Sequence, residues 1–355
     1  MRSSLAAAAA LALPATAFAH VKWFSRFSFA DRPLTAREVL TPTFLALVVL
    51  SMVAIGVLTL VDRRLADVPQ YERVNRWLSE RSDRAVLVMR VGLGASLLLS
   101  WQADALLAPE LSVGSAPWIG WLQFACAFLL LFDRLVPVAG VGVMALFGVA
   151  LARAGLLHML DYLLFLGAGY YLAVSRARNP AAAGTGLPVL YGSVGFSLCW
   201  VALEKLVYPQ WGLYVLQQNP QLALGLDLGF FLTAAAFVEF SLGYLLIINL
   251  LQRPMALVIT VTFFLTTLIF GKLEVIGHTP IHAALIVFLL EGPGRVYAPP
   301  IAFHRRLSLR TAFASVNFAL LLAVLLGTYT AGARRAHEAY VRQQRGVAAG
   351  EPAAR

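Results

Sequence analysis

Long apolar runs recur along the whole chain, and they constrain its fold more than any other feature. An α-helix needs about 20 apolar residues to cross a bilayer, and backbone groups in lipid must be satisfied within the spanning structure. The chain is 60% hydrophobic and only 13% charged, whereas soluble domains carry about 25% charged residues. We therefore predict an all-α, polytopic helical membrane protein. Its ten predicted spans are about 42–61, 85–107, 117–132, 135–152, 156–174, 187–208, 221–250, 254–276, 280–291 and 311–331.

Residues 1–19 have the pattern of a cleavable secretory signal. Arg2 is a minimal positive region, Leu5 to Leu13 form a short apolar core, and Ala17-Phe18-Ala19 is an A-x-A cleavage sequence. An uncleaved first helix is the alternative interpretation. Cleavage would leave His20 at the mature N-terminus, where its amine and its imidazole nitrogen could chelate one metal ion. Such a chelate suits copper, and it resembles the terminal-histidine copper chelates called histidine braces.

Basic residues alternate between successive loops, which predicts the orientation of the chain. By the positive-inside rule the arginine-rich loops lie in the cytoplasm, so the mature N-terminus is expected in the periplasm of a bacterial-type inner membrane. The net charge of +10 is then a topology signal held by anionic lipid, with the bilayer as partner and no nucleic acid. The cytoplasmic set is Arg63, Arg64, Arg73, Arg76, Arg81, Arg84, Arg134, Arg176, Arg178, Arg253, Arg295, Arg305, Arg306 and Arg310.

A weak internal repeat relates the second and the sixth spans. At an offset of 100 residues, Gly92 matches Gly192, Asp104 matches Glu204, and Pro109 matches Pro209. This pattern predicts two parallel four-helix units, although two similar hydropathy patterns would give the same matches. The predicted division is a signal at 1–19, a first helix and amphipathic linker at 20–84, units at 85–180 and 187–295, and a last helix with a basic tail at 296–355.

Seven ionisable residues interrupt the apolar segments of the second unit. Charged side chains at this depth are costly, so they are usually paired, interior and functional. We predict the acidic and lysine residues as catalytic groups and the histidines as metal ligands; a structural ion-pair network and helix-end hydrogen bonds are the alternatives. We also expect Gly277 to end the eighth span, with His282 in the first turn of the ninth. The seven are Glu204, Lys205, Glu239, Lys272, Glu274, His278 and His282.

Several stretches of the second unit resemble the DoxX family of four-helix membrane proteins. They are WVALEKLVYP at 200–209, AAFVEFSLGYLL at 235–246, FGKLEVIGHTPIH at 270–282 and EGPGR at 291–295. Family members include thiosulfate:quinone oxidoreductase subunits. The resemblance therefore implies a four-helix membrane fold, a quinone as cofactor and other redox subunits as partners. The aromatic residues Trp200, Trp211 and Tyr214 are predicted to line the cofactor site at the outer interface.

Four functional hypotheses follow from these residues. The first is a redox-linked site that exchanges electrons or protons with the quinone pool, and the second is copper or another transition metal bound by His20 with Glu274, His278 or His282. In the third, Glu239 lies on the proton or ion path of a transporter, and in the fourth the chain is a scaffold for other subunits. No nucleotide, haem or iron–sulfur motif occurs in the sequence, so the motifs do not decide whether the chain is an enzyme.

Overall fold

The computed structural model describes residues 20–114, 116–294 and 297–348, and these residues are mainly helical. Within them, nine helices are long and apolar enough to cross a membrane, and Pro117–Leu129 is a shorter apolar helix. The predicted all-α polytopic fold is thereby confirmed, while the predicted signal at 1–19 lies outside the described residues. We label the ten helices α1 (Pro42–Ala66), α2 (Ala85–Gln102), α3 (Pro117–Leu129), α4 (Val136–Ala154), α5 (Leu156–Val174), α6 (Gly186–Val207), α7 (Leu228–Ile248), α8 (Gln252–Phe270), α9 (Lys272–Glu291) and α10 (Leu307–Ala348).

The boundary between α8 and α9 corrects the prediction from sequence. The chain turns at Gly271, whose φ of +67° suits glycine, whereas Gly277 lies inside α9. Pro280 also lies inside the helix, and the neighbouring Thr279 hydroxyl donates to the carbonyl of Val275 at 2.5 Å. Membrane helices tolerate an internal proline better than soluble ones do. Gly277 therefore does not end a helix, and its role must come from packing.

The helices of the two predicted units pack against each other in a reciprocal way. The last helix of the first unit, α5, packs along α6, while the last helix of the second, α9, packs along α2. Small residues lie at these contacts: a Cβ at Gly92 of α2 would lie 2.3 Å from the Cβ of Ala283 on α9. Small residues allow membrane helices to pack backbone to backbone. The helices α1 and α10 pack together against this central bundle.

A buried arginine fastens one end of the bundle. The Arg253 guanidinium donates to the carbonyls of Leu289 and Leu290, at 2.7 and 3.1 Å, where α9 ends. It also donates to Asn75 and Ser79 of the short helix Pro69–Ser79, at 2.9 and 2.7 Å. Because the last carbonyls of a helix have no partner within it, these bonds supply what the backbone lacks.

We expect Arg253→Ala to lower the free energy of unfolding by about 2 kcal/mol, since buried hydrogen bonds to a charged donor are lost. Thermal unfolding in detergent would measure the loss. Arg76→Ala is the matched control, because Arg76 and its partner Glu72 are exposed and such surface pairs contribute little. Equal melting temperatures for the two variants would contradict this role for Arg253.

Candidate functional site

The segment that follows residue 19 enters the bundle rather than lying on its surface. It forms the short helix Val21–Phe24, and His20 and Lys22 are only 6% and 5% exposed. Further along, the amide of Leu34 donates to the carbonyl of Val207 at 2.8 Å. The first residues of the N-terminal segment, residues 20–34, therefore belong to the interior at the end of the bundle where α5 begins and α6 ends, while Arg26, Ala30 and Arg32 of the same segment are exposed.

Lys22 brings a positive charge between two buried carboxylates. Its Nζ atom lies 2.5 Å from Oδ2 of Asp161 on α5 and 2.6 Å from Oε2 of Glu204 on α6. Burial acts to lower the pKa of Lys22, but the carboxylates of Asp161 and Glu204 outweigh it and raise that pKa well above its usual value. Lys22 is therefore held as a cation, and the three side chains form one ion cluster.

A second group of polar side chains meets at the hydroxyl of Tyr162 on α5. The hydroxyl donates to Glu110, contacts Nε2 of His20 at 2.8 Å, and accepts from the indole Nε1 of Trp23 at 3.0 Å. His158 approaches the same Glu110 carboxylate at 3.3 Å. Burial raises the pKa of Glu110 to about 7 and lowers the pKa of His20 well below its usual value. This group therefore holds Glu110 near its titration point and keeps His20 neutral at physiological pH.

An ion pair between α6 and α7 is separate from these two groups. The ammonium of Lys205 on α6 is 2.7 Å from Oε2 of Glu239 on α7, and both residues are at most 2% exposed. Lys205 is thus the ion-pair partner of Glu239. Such a pair ties α6 to α7, since either charge alone would be strongly destabilising when buried.

A further pair, His278 and Glu274, belongs to α9 and faces α8. Nδ1 of His278 lies 2.5 Å from Oε2 of Glu274, which also accepts from the Thr266 hydroxyl at 3.0 Å. The His278 ring stacks on Phe263, with ring centroids 4.2 Å apart and an interplanar angle of 15°. Glu274 is fully buried, and its second carboxylate oxygen, Oε1, has no hydrogen-bond partner among the described residues.

Beside this pair, an apolar pocket of about 480 Å³ opens between α2, α8 and α9. Leu87 and Val91 form part of its wall and are 51% and 61% exposed. In a membrane protein, such exposed apolar side chains face lipid, so the pocket opens laterally toward the bilayer. Glu274 and His282 are the ionisable residues that line it, and Nδ1 of His282 has no hydrogen-bond partner among the described residues.

The structure separates the predicted site residues into several places. Lys272 is exposed at the start of α9. His282 lies in the interior of α9, so its predicted place in a first helical turn is wrong, because the helix begins at Lys272 rather than at Pro280. Glu204, Lys205 and Glu239 join the internal ion pairs, and Glu274 with His282 lines the lateral pocket.

The three predicted cofactor aromatics do not line the pocket. The indole of Trp200 donates to the carbonyl of Leu157 at 3.0 Å, and that of Trp211 donates to Asp31 at 2.6 Å. Tyr214 is 49% exposed. The hydrogen bonds of Trp200 and Trp211 hold α6 and the helix Pro209–Gln218 against other parts of the chain.

The predicted metal ligands do not converge in one place. Trp23 lies between His20 and His278, with ring centroids 4.8 and 5.1 Å away. Among the described residues 20–114, 116–294 and 297–348, no group of three or more His, Cys, Asp or Glu side chains is arranged to hold a metal ion. Copper binding through the His20 amine stays a prediction, as do the transporter and scaffold hypotheses.

Four buried polar residues were not predicted from the sequence as site residues. They belong to the ion cluster around Lys22 and to the polar group around Tyr162, and they are Lys22, Glu110, Asp161 and Tyr162. Asp161 carried a usable signal, because it is an acidic residue inside an apolar span. Lys22 and Glu110 lie outside the spans, where charged residues are ordinary. Tyrosines such as Tyr162 are common near membrane interfaces and so give no signal. Their roles depend on contacts between distant parts of the chain.

The DoxX family model matches residues 203–272, which include the internal pair Lys205–Glu239 and end just before Glu274. No curated protein and no solved structure matched the chain. The matched segment spans α7 and α8 and reaches both boundary helices, α6 and α9, so this part of the chain is similar to the DoxX family.

Proposed function

We propose that this DoxX-like membrane protein binds the headgroup of a quinone in the lateral pocket and exchanges protons with it through Glu274. The observation that carries the proposal is a carboxylate, paired with His278, in the wall of a mostly apolar pocket that faces the membrane. By the positive-inside rule, Glu274, two residues after the start of α9, lies toward the periplasmic end of that helix.

The size and chemistry of the pocket suit such a ligand. Its volume of about 480 Å³ falls within the range of small-molecule sites, which are mostly apolar with a few well-placed polar groups. A quinone has a flat ring with two carbonyl oxygens and an isoprenoid tail, and it reaches its sites from within the bilayer. The exposed Leu87 and Val91 offer the tail a surface that is continuous with lipid.

The polar groups suit proton exchange. Reduction of a quinone to a quinol consumes two electrons and two protons, and the reverse reaction releases them. Carboxyl and imidazole groups are the usual general acids and bases in proteins. Glu274, held by His278 and Thr266, would give or take a proton at a carbonyl oxygen of the quinone, while a partner redox subunit would exchange the electrons.

We expect Glu274→Gln to raise the Kd of a short-chain ubiquinone analogue in its reduced, quinol form about tenfold, because the quinol hydroxyl donates a charge-assisted hydrogen bond to the carboxylate but only a neutral one to the amide oxygen. A photoreactive azidoquinone, added to protein in nanodiscs, would locate the site by mass spectrometry of the labelled peptides. We expect the label on α8 or α9, and competition by the unlabelled analogue.

A pair of tryptophan variants controls for general effects on the lipid-facing surface. Val91→Trp would fill the pocket and abolish labelling, whereas Leu268→Trp places the same bulk on an exposed position that does not line the pocket. Labelling that is unchanged in both Glu274→Gln and Val91→Trp would disprove the proposal.

A further inference from the structure

The indole of Trp23 connects the N-terminal segment to the pair behind the pocket. Its ring lies 5.1 Å from that of His278, centroid to centroid, and its Nε1 atom donates to the Tyr162 hydroxyl at 3.0 Å. One side chain therefore touches both the histidine that holds Glu274 and the tyrosine that holds Glu110.

A glycine in α9 makes this arrangement possible. A Cβ atom at Gly277 would lie 1.8 Å from Cη2 of Trp23 and 2.3 Å from two further ring carbons. Glycine inside a helix costs about 1 kcal/mol relative to alanine, and Gly277 lies within α9 rather than at either end. Its place is explained by the indole ring, which occupies the space of the missing side chain.

The position of His278 depends on the two rings beside it. Phe263 stacks on the imidazole at 4.2 Å, and Trp23 approaches at 5.1 Å with an interplanar angle of 53°. The imidazole in turn contacts Oε2 of Glu274 at 2.5 Å. A shift of the indole would free the imidazole and with it the carboxylate in the pocket wall.

We propose that Trp23 is a positioning residue of the lateral pocket, and that Gly277 provides the space for its indole ring. The N-terminal segment thereby completes a site whose ligand-facing groups belong to α9. The effect of Trp23 on quinone binding rests on the proposed function, whereas its effect on His278 does not.

Two glycine variants test the proposal. Gly277→Ala must displace the indole, while Gly192→Ala is the matched control, since a Cβ at that helical position has no atom within 4 Å. We expect Gly277→Ala to raise the Kd of the ubiquinone analogue about fivefold, the size of a lost aromatic contact, and to shift the pH midpoint of binding. Gly192→Ala should match the wild type in both.

A second readout does not need a quinone. Diethyl pyrocarbonate modifies accessible imidazoles, and mass spectrometry would give the rate at His278 relative to His304. We expect Trp23→Ala and Gly277→Ala to raise this relative rate about fivefold, and Trp23→Phe, which keeps a ring against His278, to stay near the wild-type rate. Variants with wild-type melting temperatures would be compared. Trp23→Leu, which keeps an apolar side chain but has no aromatic ring, is also expected to raise the rate, and it serves if the others do not fold.

The outcomes separate the two proposals. Faster modification of His278 in Trp23→Ala, with no quinone bound even by the wild type, would support the positioning role and reject the quinone site. Rates and binding pH profiles in Trp23→Ala and Gly277→Ala that equal those of Gly192→Ala would overturn the positioning role.

Discussion

Replacing Lys22 with methionine will lower the free energy of unfolding by about 3–5 kcal/mol, the usual cost of removing one partner from a buried ion pair. The Nζ atom lies within 2.6 Å of carboxylate oxygens of both Asp161 and Glu204. These two residues are 3% and 1% exposed. Without the ammonium, two buried carboxylates would face each other with no counter-charge. Thermal and urea unfolding in detergent would measure the loss, with the exposed Lys272→Met as control.

A triple variant distinguishes loss of charge balance from loss of packing. Lys22→Met combined with Asp161→Leu and Glu204→Met replaces the whole ion cluster with apolar side chains of similar volume, and such replacements are often neutral or stabilising. We expect it to recover most of the stability lost in Lys22→Met. A Lys22→Met protein that unfolds like the wild type would show that the carboxylates do not depend on this cation.

The second large effect concerns pH. Burial raises the pKa of Glu110 from 4.5 to about 7, so the folded state binds this proton more tightly than the unfolded state does. The resulting stabilisation is fully present below the unfolded pKa and is lost as the pH rises through 7. A shift of this size corresponds to about 3 kcal/mol. We therefore expect the free energy of unfolding to fall between about pH 4.5 and pH 7.

Glu110→Gln tests the assignment, because the amide keeps the shape of the side chain and cannot titrate. The slope of stability against pH should become shallower in this variant between pH 4.5 and pH 7. Glu38→Gln is the control: Glu38 is capped by Thr35 in an exposed turn, and its pKa is lowered, so its titration falls below this window. Parallel curves for the wild type and Glu110→Gln would contradict a buried, titrating Glu110.

The membrane fold could be predicted from the sequence because its cause is local. An apolar run of spanning length forms a helix in lipid whatever the rest of the chain does. The same reasoning singled out Glu204, Lys205 and Glu239, since a charge in an apolar run is conspicuous on its own. The predicted helix boundary at Gly277 was wrong for a local reason too. Glycine and Thr-Pro usually mark a helix end, yet here the helix continues.

Which charges meet was decided only by the tertiary structure. Lys22 and Asp161 are separated by 139 residues, as are Trp23 and Tyr162. Alternating spans indicate which end of the bundle a residue occupies, but not how each helix is rotated about its axis. That rotation, set by contacts such as Gly195 against Gly243 and Gly277 against Trp23, turns Glu274 toward the pocket wall and Glu204 toward Lys22. The sequence determined by itself that the chain would span a membrane with polar residues near one end. Packing between distant segments determined which of those residues form the candidate site.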